Sequence, residues 1–185
     1  WSRTGNSANF VVNTWSGEGA TDGSNMTTPF LQNWQGKENG ALGDAVMTYT
    51  LTDQAQGYYR VSALIRSLNE NGGATPAGTF IFANTAIERA YNGTACTNGV
   101  YDEPEVYGYV GADGNLSIGI KVIRANVNWV SFKNFKVEYV GTTLTAEMVS
   151  NLTEEAPSFT YNVTAQATLD AAVNALSSLT NDNYV

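Results

Sequence analysis

From residue 46 onward, apolar and polar side chains alternate with the two-residue period of strands that bury one face. VMTYTLT at 46–52 and YYRVSALIR at 58–66 are β-rich, and DQAQG between them reads as a short hairpin-like connection. In the second run Tyr59, Val61, Ala63 and Ile65 face one way, and Tyr58, Arg60, Ser62, Leu64 and Arg66 face the other, mostly outward. NENGGATPAG at 69–78 is a breaker-rich loop ahead of TFIFAN at 79–84. A turn at 111–114 leads into a strand in which Leu116, Ile118, Ile120 and Val122 alternate inward.

The last run, WVSFKNFKVEYV at 129–140, changes phase. Val130 and Phe132 share one parity, while Phe135, Val137 and Tyr139 share the other, so a β-bulge near Lys133-Asn134 is needed to turn both sets to the core. Eight or nine strands follow from this reading, enough for two packed sheets. After about residue 141 the pattern changes. All nine Lys and Arg residues lie before that point, and the remainder carries five acids, Glu147, Glu154, Glu155, Asp170 and Asp182. Segment 164–179 takes helical spacing, with Leu169, Val173 and Leu176 on one stripe and Thr164 as N-cap. One helix of this length does not make a domain, so it packs on the sandwich or begins a helical module. The chain therefore divides into a sandwich over 1–141 and a linker with helix over 142–185.

Composition narrows the chemistry. A net charge of -8 with nine basic residues disfavours nucleic acid, and no apolar run is long enough to insert in a membrane. Histidine is absent and Cys96 is the single cysteine, which removes the usual general base, an internal disulfide and a cysteine zinc site. Asp102, Glu103 and Glu105 sit in one loop, without the opposed placement that glycoside hydrolysis needs, so the chain reads as a non-enzyme. It opens at Trp1 with no signal peptide in view, which suggests a processed or trimmed chain.

Four Trp and ten Tyr point elsewhere. Flat aromatic rings desolvate the C–H faces of sugars, while Asn, Asp, Arg or Glu nearby supply directional hydrogen bonds. Trp15, Trp34 and Tyr91 border loops, and Trp129 follows the polar tract RANVN with Asn126 and Asn128. These six are the candidate ligand residues. The alternatives are core packing for the tryptophans and turn closure for the asparagines. Glu18, Asp22 and Asp44 are candidate oxygen ligands for a structural Ca²⁺ in loops, against the alternative of a solvated acidic loop.

NFVVNTWSGEGATDGSNMTTPFLQNW, ALGDAVMTYTLT, GYYRVSALIR and NVNWVSFKNFKVEYV together resemble the galactose-binding-domain-like β-sandwich modules of exported gut Bacteroidetes proteins. The resemblance covers roughly residues 1–140. It implies an all-β fold, a jelly-roll β-sandwich of two antiparallel sheets, here followed by a short C-terminal helical segment. It also implies carbohydrate binding, often with structural calcium, in an extracellular or cell-surface multidomain protein. By that resemblance Asn126 or Asn128 meets a sugar hydroxyl and Trp129 stacks on or supports the site. The implied partners are a poly- or oligosaccharide and neighbouring modules of the same polypeptide. A structural or protein-interaction domain of a surface protein is the competing reading.

Overall fold

The computed structural model describes residues 1–5, 10–13, 30–72, 75–84, 87–90 and 102–148. Ten strands appear among them: β1 (Ser2–Gly5), β2 (Phe10–Asn13), β3 (Phe30–Trp34), β4 (Ala45–Leu51), β5 (Gly57–Leu68), β6 (Thr79–Ala83), β7 (Ile87–Ala90), β8 (Glu105–Val110), β9 (Leu116–Val122) and β10 (Trp129–Gly141). They form two five-stranded antiparallel sheets, β1-β4-β9-β6-β7 and β2-β3-β10-β5-β8, here called the first and second sheet. The two packed sheets expected from the alternation are observed, as the antiparallel sandwich that the resemblance implies.

Each sheet turns one parity inward. Met47, Ile81, Ile118 and Ile120 of the first sheet meet Phe10, Val61, Ile65, Val106, Val130 and Phe132 of the second in one core from which water is excluded. Phe10 and Phe132 meet edge to face at 6.0 Å, a favoured arrangement of ring quadrupoles. Burial of this apolar surface is what holds the sheets together.

The bulge expected in β10 is present. Lys133 pairs with Leu64 and Lys136 with Ser62, so Asn134 and Phe135 oppose the single residue Ala63. Asn134 takes a positive φ of 54°, which Asn tolerates better than most residues. The phase shift returns Val137 and Tyr139 to the inner face, opposite Val61 and Tyr59. Both remain exposed all the same, and among the described residues β3 flanks β10 only from Trp129 to Phe132.

Two residues expected to face outward into water are buried. Tyr58 and Arg66 do lie on the outer face of the second sheet, yet they are only 2% and 4% exposed. Tyr58 is covered by Tyr107 and Met148, and Arg66 lies by the rings of Phe30 and Trp129. Strand period assigns the face of a residue; what crosses above that face decides its burial.

β10 ends at Gly141, and residues 146–148 are helical. This helical start precedes the segment 164–179 read as a helix from spacing, which lies outside the described residues. Among the described residues no helix is long and apolar enough to cross a membrane.

Candidate functional site

Trp129, the first residue of β10, stands in register with Trp34, the last of β3, and with Leu68 at the end of β5. Residues directly opposite in an antiparallel ladder share a face. Both indoles therefore belong to the outer face of the second sheet, at one end of the sandwich. Trp34 is 50% exposed, and Trp129 is partly buried. The Trp129 indole N–H donates to Glu70 Oε1 at 3.0 Å. The Arg66 guanidinium lies 5.4 Å from the Trp129 ring centroid, close enough for cation–π attraction. One tryptophan is thus held from two sides, while its neighbour presents its surface to water.

Three loops meet around this pair, and the two asparagines of RANVN tie them together. Asn128 is buried, with Nδ2 donating to Gly40 O at 2.5 Å and Oδ1 accepting from Glu70 N at 2.8 Å. Its backbone N–H donates to Leu68 O, and its carbonyl accepts from Gln35 N. Gln35 Nε2 in turn donates to Gly40 O at 2.9 Å and Ala41 O at 2.5 Å. Loop 35–42 and the turn that carries Glu70 are therefore fastened to one side chain. Asn126 does the same for the neighbouring loop, accepting from Ala77 N and donating to Thr75 O, both at 2.8 Å. The loop comes so close there that a Cβ on Gly78, whose φ is 84°, would lie 2.4 Å from Ala125 Cα. Both asparagine amides are engaged with backbone and position the loops around the site.

The rim carries Lys37, Glu38, Asn39, Glu70 and Asn71, all exposed. Asn71 Nδ2 reaches Lys37 O at 3.4 Å, joining the two rim loops above Asn128. Apolar ring faces beside an exposed carboxylate and amides suit a ligand with alternating C–H and hydroxyl surfaces.

The remaining candidates separate. Trp15, Tyr91, Glu18 and Asp22 lie outside the described residues. Asp44 caps a loop, its Oδ1 accepting from Arg124 N at 2.7 Å. Among the described residues no group of three or more His, Cys, Asp or Glu side chains is placed to hold a metal. Asp102 exchanges backbone hydrogen bonds with Ile65. Glu103 is paired with Lys136 and Glu105 with Arg60 on the outer face of the second sheet. The hydrogen bond from Lys136 holds the Glu103 carboxyl below the usual carboxylate range.

Glu70 and Arg66 are not among the six candidate ligand residues read from sequence. The breaker-rich run at 69–78 marked a loop but gave no sign that its Glu70 would reach an indole whose position depends on β10.

Compared with solved structures, the sandwich aligns with TmCBM61, determined in complex with β-1,4-galactotriose. The identity is 12%, the alignment covers 75% of this chain and 88% of that one, and the TM-score is 0.51. In fold the chain is similar to a carbohydrate-binding module. The CBM22-1 xylan-binding domain of Paenibacillus barcinonensis Xyn10C also aligns, at 12% identity over 73% of this chain and 84% of that one, with a TM-score of 0.42. A family 35 carbohydrate-binding module from Clostridium thermocellum aligns at 12% identity over 67% and 87%, with a TM-score of 0.37. No protein-family model and no curated protein matches the sequence. At such identity the likeness is one of chain path, so the site rests on the geometry above.

Proposed function

We propose that this chain is a non-catalytic carbohydrate-binding module of a secreted or surface protein, taking a poly- or oligosaccharide on the face formed by Trp34 and Trp129. The observation that carries the reading is the cross-strand register of these two indoles on one face, with Trp34 half exposed and Trp129 tied to Glu70. Trp34 supplies the stacking surface, Glu70 accepts hydroxyl hydrogen bonds, and Asn128 keeps the loops around them in place. Arg66 supports Trp129 from beneath. Extracellular placement, neighbouring modules and a calcium ion at Glu18, Asp22 and Asp44 belong to the same proposal. The fold likeness to a module solved with a galacto-oligosaccharide makes β-linked galactans the first ligands to try.

The test is a broad plant, microbial and host glycan array on the purified chain, with calcium and again with chelator. The expected result is saturable binding to one glycan class, reduced at least tenfold by Trp34→Ala or Trp129→Ala with the fold retained. Trp15→Ala and Tyr91→Ala measure the two aromatic candidates outside the described residues. Loss of signal in chelator would bring calcium into the site. A folded protein silent on every glycan would overturn the proposal.

One observation favours the protein-interaction reading instead. Trp1, Tyr49, Val137 and Tyr139 are all substantially exposed. Trp1 packs 5.4 Å from Tyr49 and 5.5 Å from Phe135, which lies two residues before Val137. Contiguous apolar surface of this kind marks contact sites. A silent array together with self-association that Tyr49→Ser abolishes would make that the better account.

A further inference from the structure

We infer that the tyrosine face of β5 and β8 is the docking surface for residues 144–148, and that this contact fixes the stretch of chain following β10 against the sandwich. Register puts Tyr58 opposite Tyr109 and Tyr107 opposite Arg60, so all three phenols lie on the outer face of the second sheet, away from the main core. An isolated sheet face of this kind is wet. Here Tyr58 is 2%, Tyr107 5% and Met148 1% exposed, in a cluster that Tyr109 and Leu144 complete.

The contact is specific in its polar groups. The Tyr107 hydroxyl donates to Glu147 Oε1 at 3.1 Å. Thr145 Oγ1 accepts from Met148 N at 3.3 Å, the bond that an N-cap makes to the third helical residue. Glu147 therefore sits in the first helical turn, next to Met148. Thr145 starts the helix at the position where Met148 drops onto the tyrosines and Glu147 reaches a phenol. Glu147 and Met148 thus serve both the local turn and the docking.

The placement has a consequence for the whole module. Between Tyr58 and Leu68 strand β5 spans about 33 Å. The docked segment and the Trp34–Trp129 face thus occupy opposite ends of one sheet surface. Residues 144–148 are thereby held at the end of that surface away from the tryptophans. The docking holds whether or not the tryptophans bind sugar.

The experiment uses the full chain, with tyrosine acetylation by N-acetylimidazole and amide hydrogen exchange read together. In the native chain Tyr58 and Tyr107 should resist acetylation while Tyr49, which is half exposed, reacts. Met148→Ala should raise labelling of Tyr58 and Tyr107 at least tenfold and speed exchange over residues 145–148, with β9 amides still protected. Native Tyr58 and Tyr107 labelling as fast as Tyr49 would overturn the inference, as would Met148→Ala labelling no faster than the native chain. If Met148→Ala also opens β9, Tyr107→Phe decides, since it removes only the hydroxyl. Exchange over 145–148 unchanged in Tyr107→Phe would then sink the docking, and a several-fold rise would sustain it.

Discussion

The two ends of the second sheet's outer face are built from the same strands and meet opposite fates. At one end β5 and β10 contribute Leu68 and Trp129 beside Trp34, with an aromatic ring left half in water. At the other, β5 and β8 contribute Tyr58, Tyr107 and Tyr109, and the chain's own Leu144 and Met148 close over them. Both ends place aromatic residues at positions whose parity points outward. What differs is the covering. The tyrosine end is sealed by the residues that follow β10, whereas the tryptophan end, among the described residues, is framed by loops that hold its edges and leave Trp34 half exposed. A face that is framed and open is suited to a ligand from solution; a face already covered is suited to fixing the path of the chain.

The largest expected effect comes from removing the side chain that frames the tryptophan end. Asn128→Ala leaves Gly40 O and Glu70 N without their side-chain partner in a buried setting. It should cost about 2 kcal/mol, a drop of about 4–8 °C in the unfolding midpoint. Calorimetry checks the stability, and glycan titration should show weakened binding in the same variant. Tyrosine acetylation at the other end should stay as it was. Raised labelling of Tyr107 in Asn128→Ala would mean that the ends are coupled, and the contrast between them would fail.

Much of the sandwich is legible in the chain because alternation is a local signal. The inward residues of β5 and β9 follow directly from parity, and so does the bulge, since Phe132 and Phe135 cannot both face the core without one. The short strands β1, β2 and β7 are harder to read: four residues give too few alternations to separate a strand from a loop. At the site, Trp34 and Trp129 could be named one by one, but their pairing depends on β3 meeting β10, which no local pattern encodes. Glu70 and Arg66 belong to the same class, for both act through a tryptophan distant in sequence. Tyr58 looked solvent-facing because the residues that cover it, Leu144 and Met148, follow the last strand, where the apolar spacing is too short to read. For the two asparagines, a polar residue beside a tryptophan points from sequence to ligand contact, and the structure adds the hydrogen bonds by which both amides hold loops.

An intermediate effect is expected at the covered end, and it depends on pH. Burial, with help from the hydrogen bond to Glu147, pushes the Tyr107 phenol up, and burial does the same to Tyr58. A raised phenol favours the protonated, folded form. The associated stability is present below the free phenol value of about 10 and is lost as pH rises through the folded value. The segment at 144–148 should therefore release in the alkaline range above that point, while the tryptophan end stays assembled. Tyr107→Phe should cost about 1 kcal/mol near neutrality and flatten part of this alkaline transition. Exchange rates over residues 145–148 across the alkaline range read both effects, and an alkaline release that appears first at loop 35–42 would reverse the comparison.

The smallest effect belongs to the strip between the two ends, where Lys136 reaches Glu103 at 2.6 Å and Ser62 donates to the same carboxylate. The lowered Glu103 carboxyl contributes stability above the free carboxylate range, and that contribution is lost as pH falls through its folded value. The Lys136 side chain is 66% exposed and its partner 39%, so solvent screens the pair and its worth is about 0.5 kcal/mol. Lys136→Met should lower stability by no more than that at neutral pH, with the difference vanishing in acid once Glu103 is protonated. Because the pair touches neither the indoles nor the phenols, its removal should leave glycan titration and tyrosine labelling both unchanged. Separated sites of this kind add independently. A Lys136→Met variant that altered either end would show the strip transmitting strain along β10, and the open and covered ends would then have to be treated as one cooperative surface.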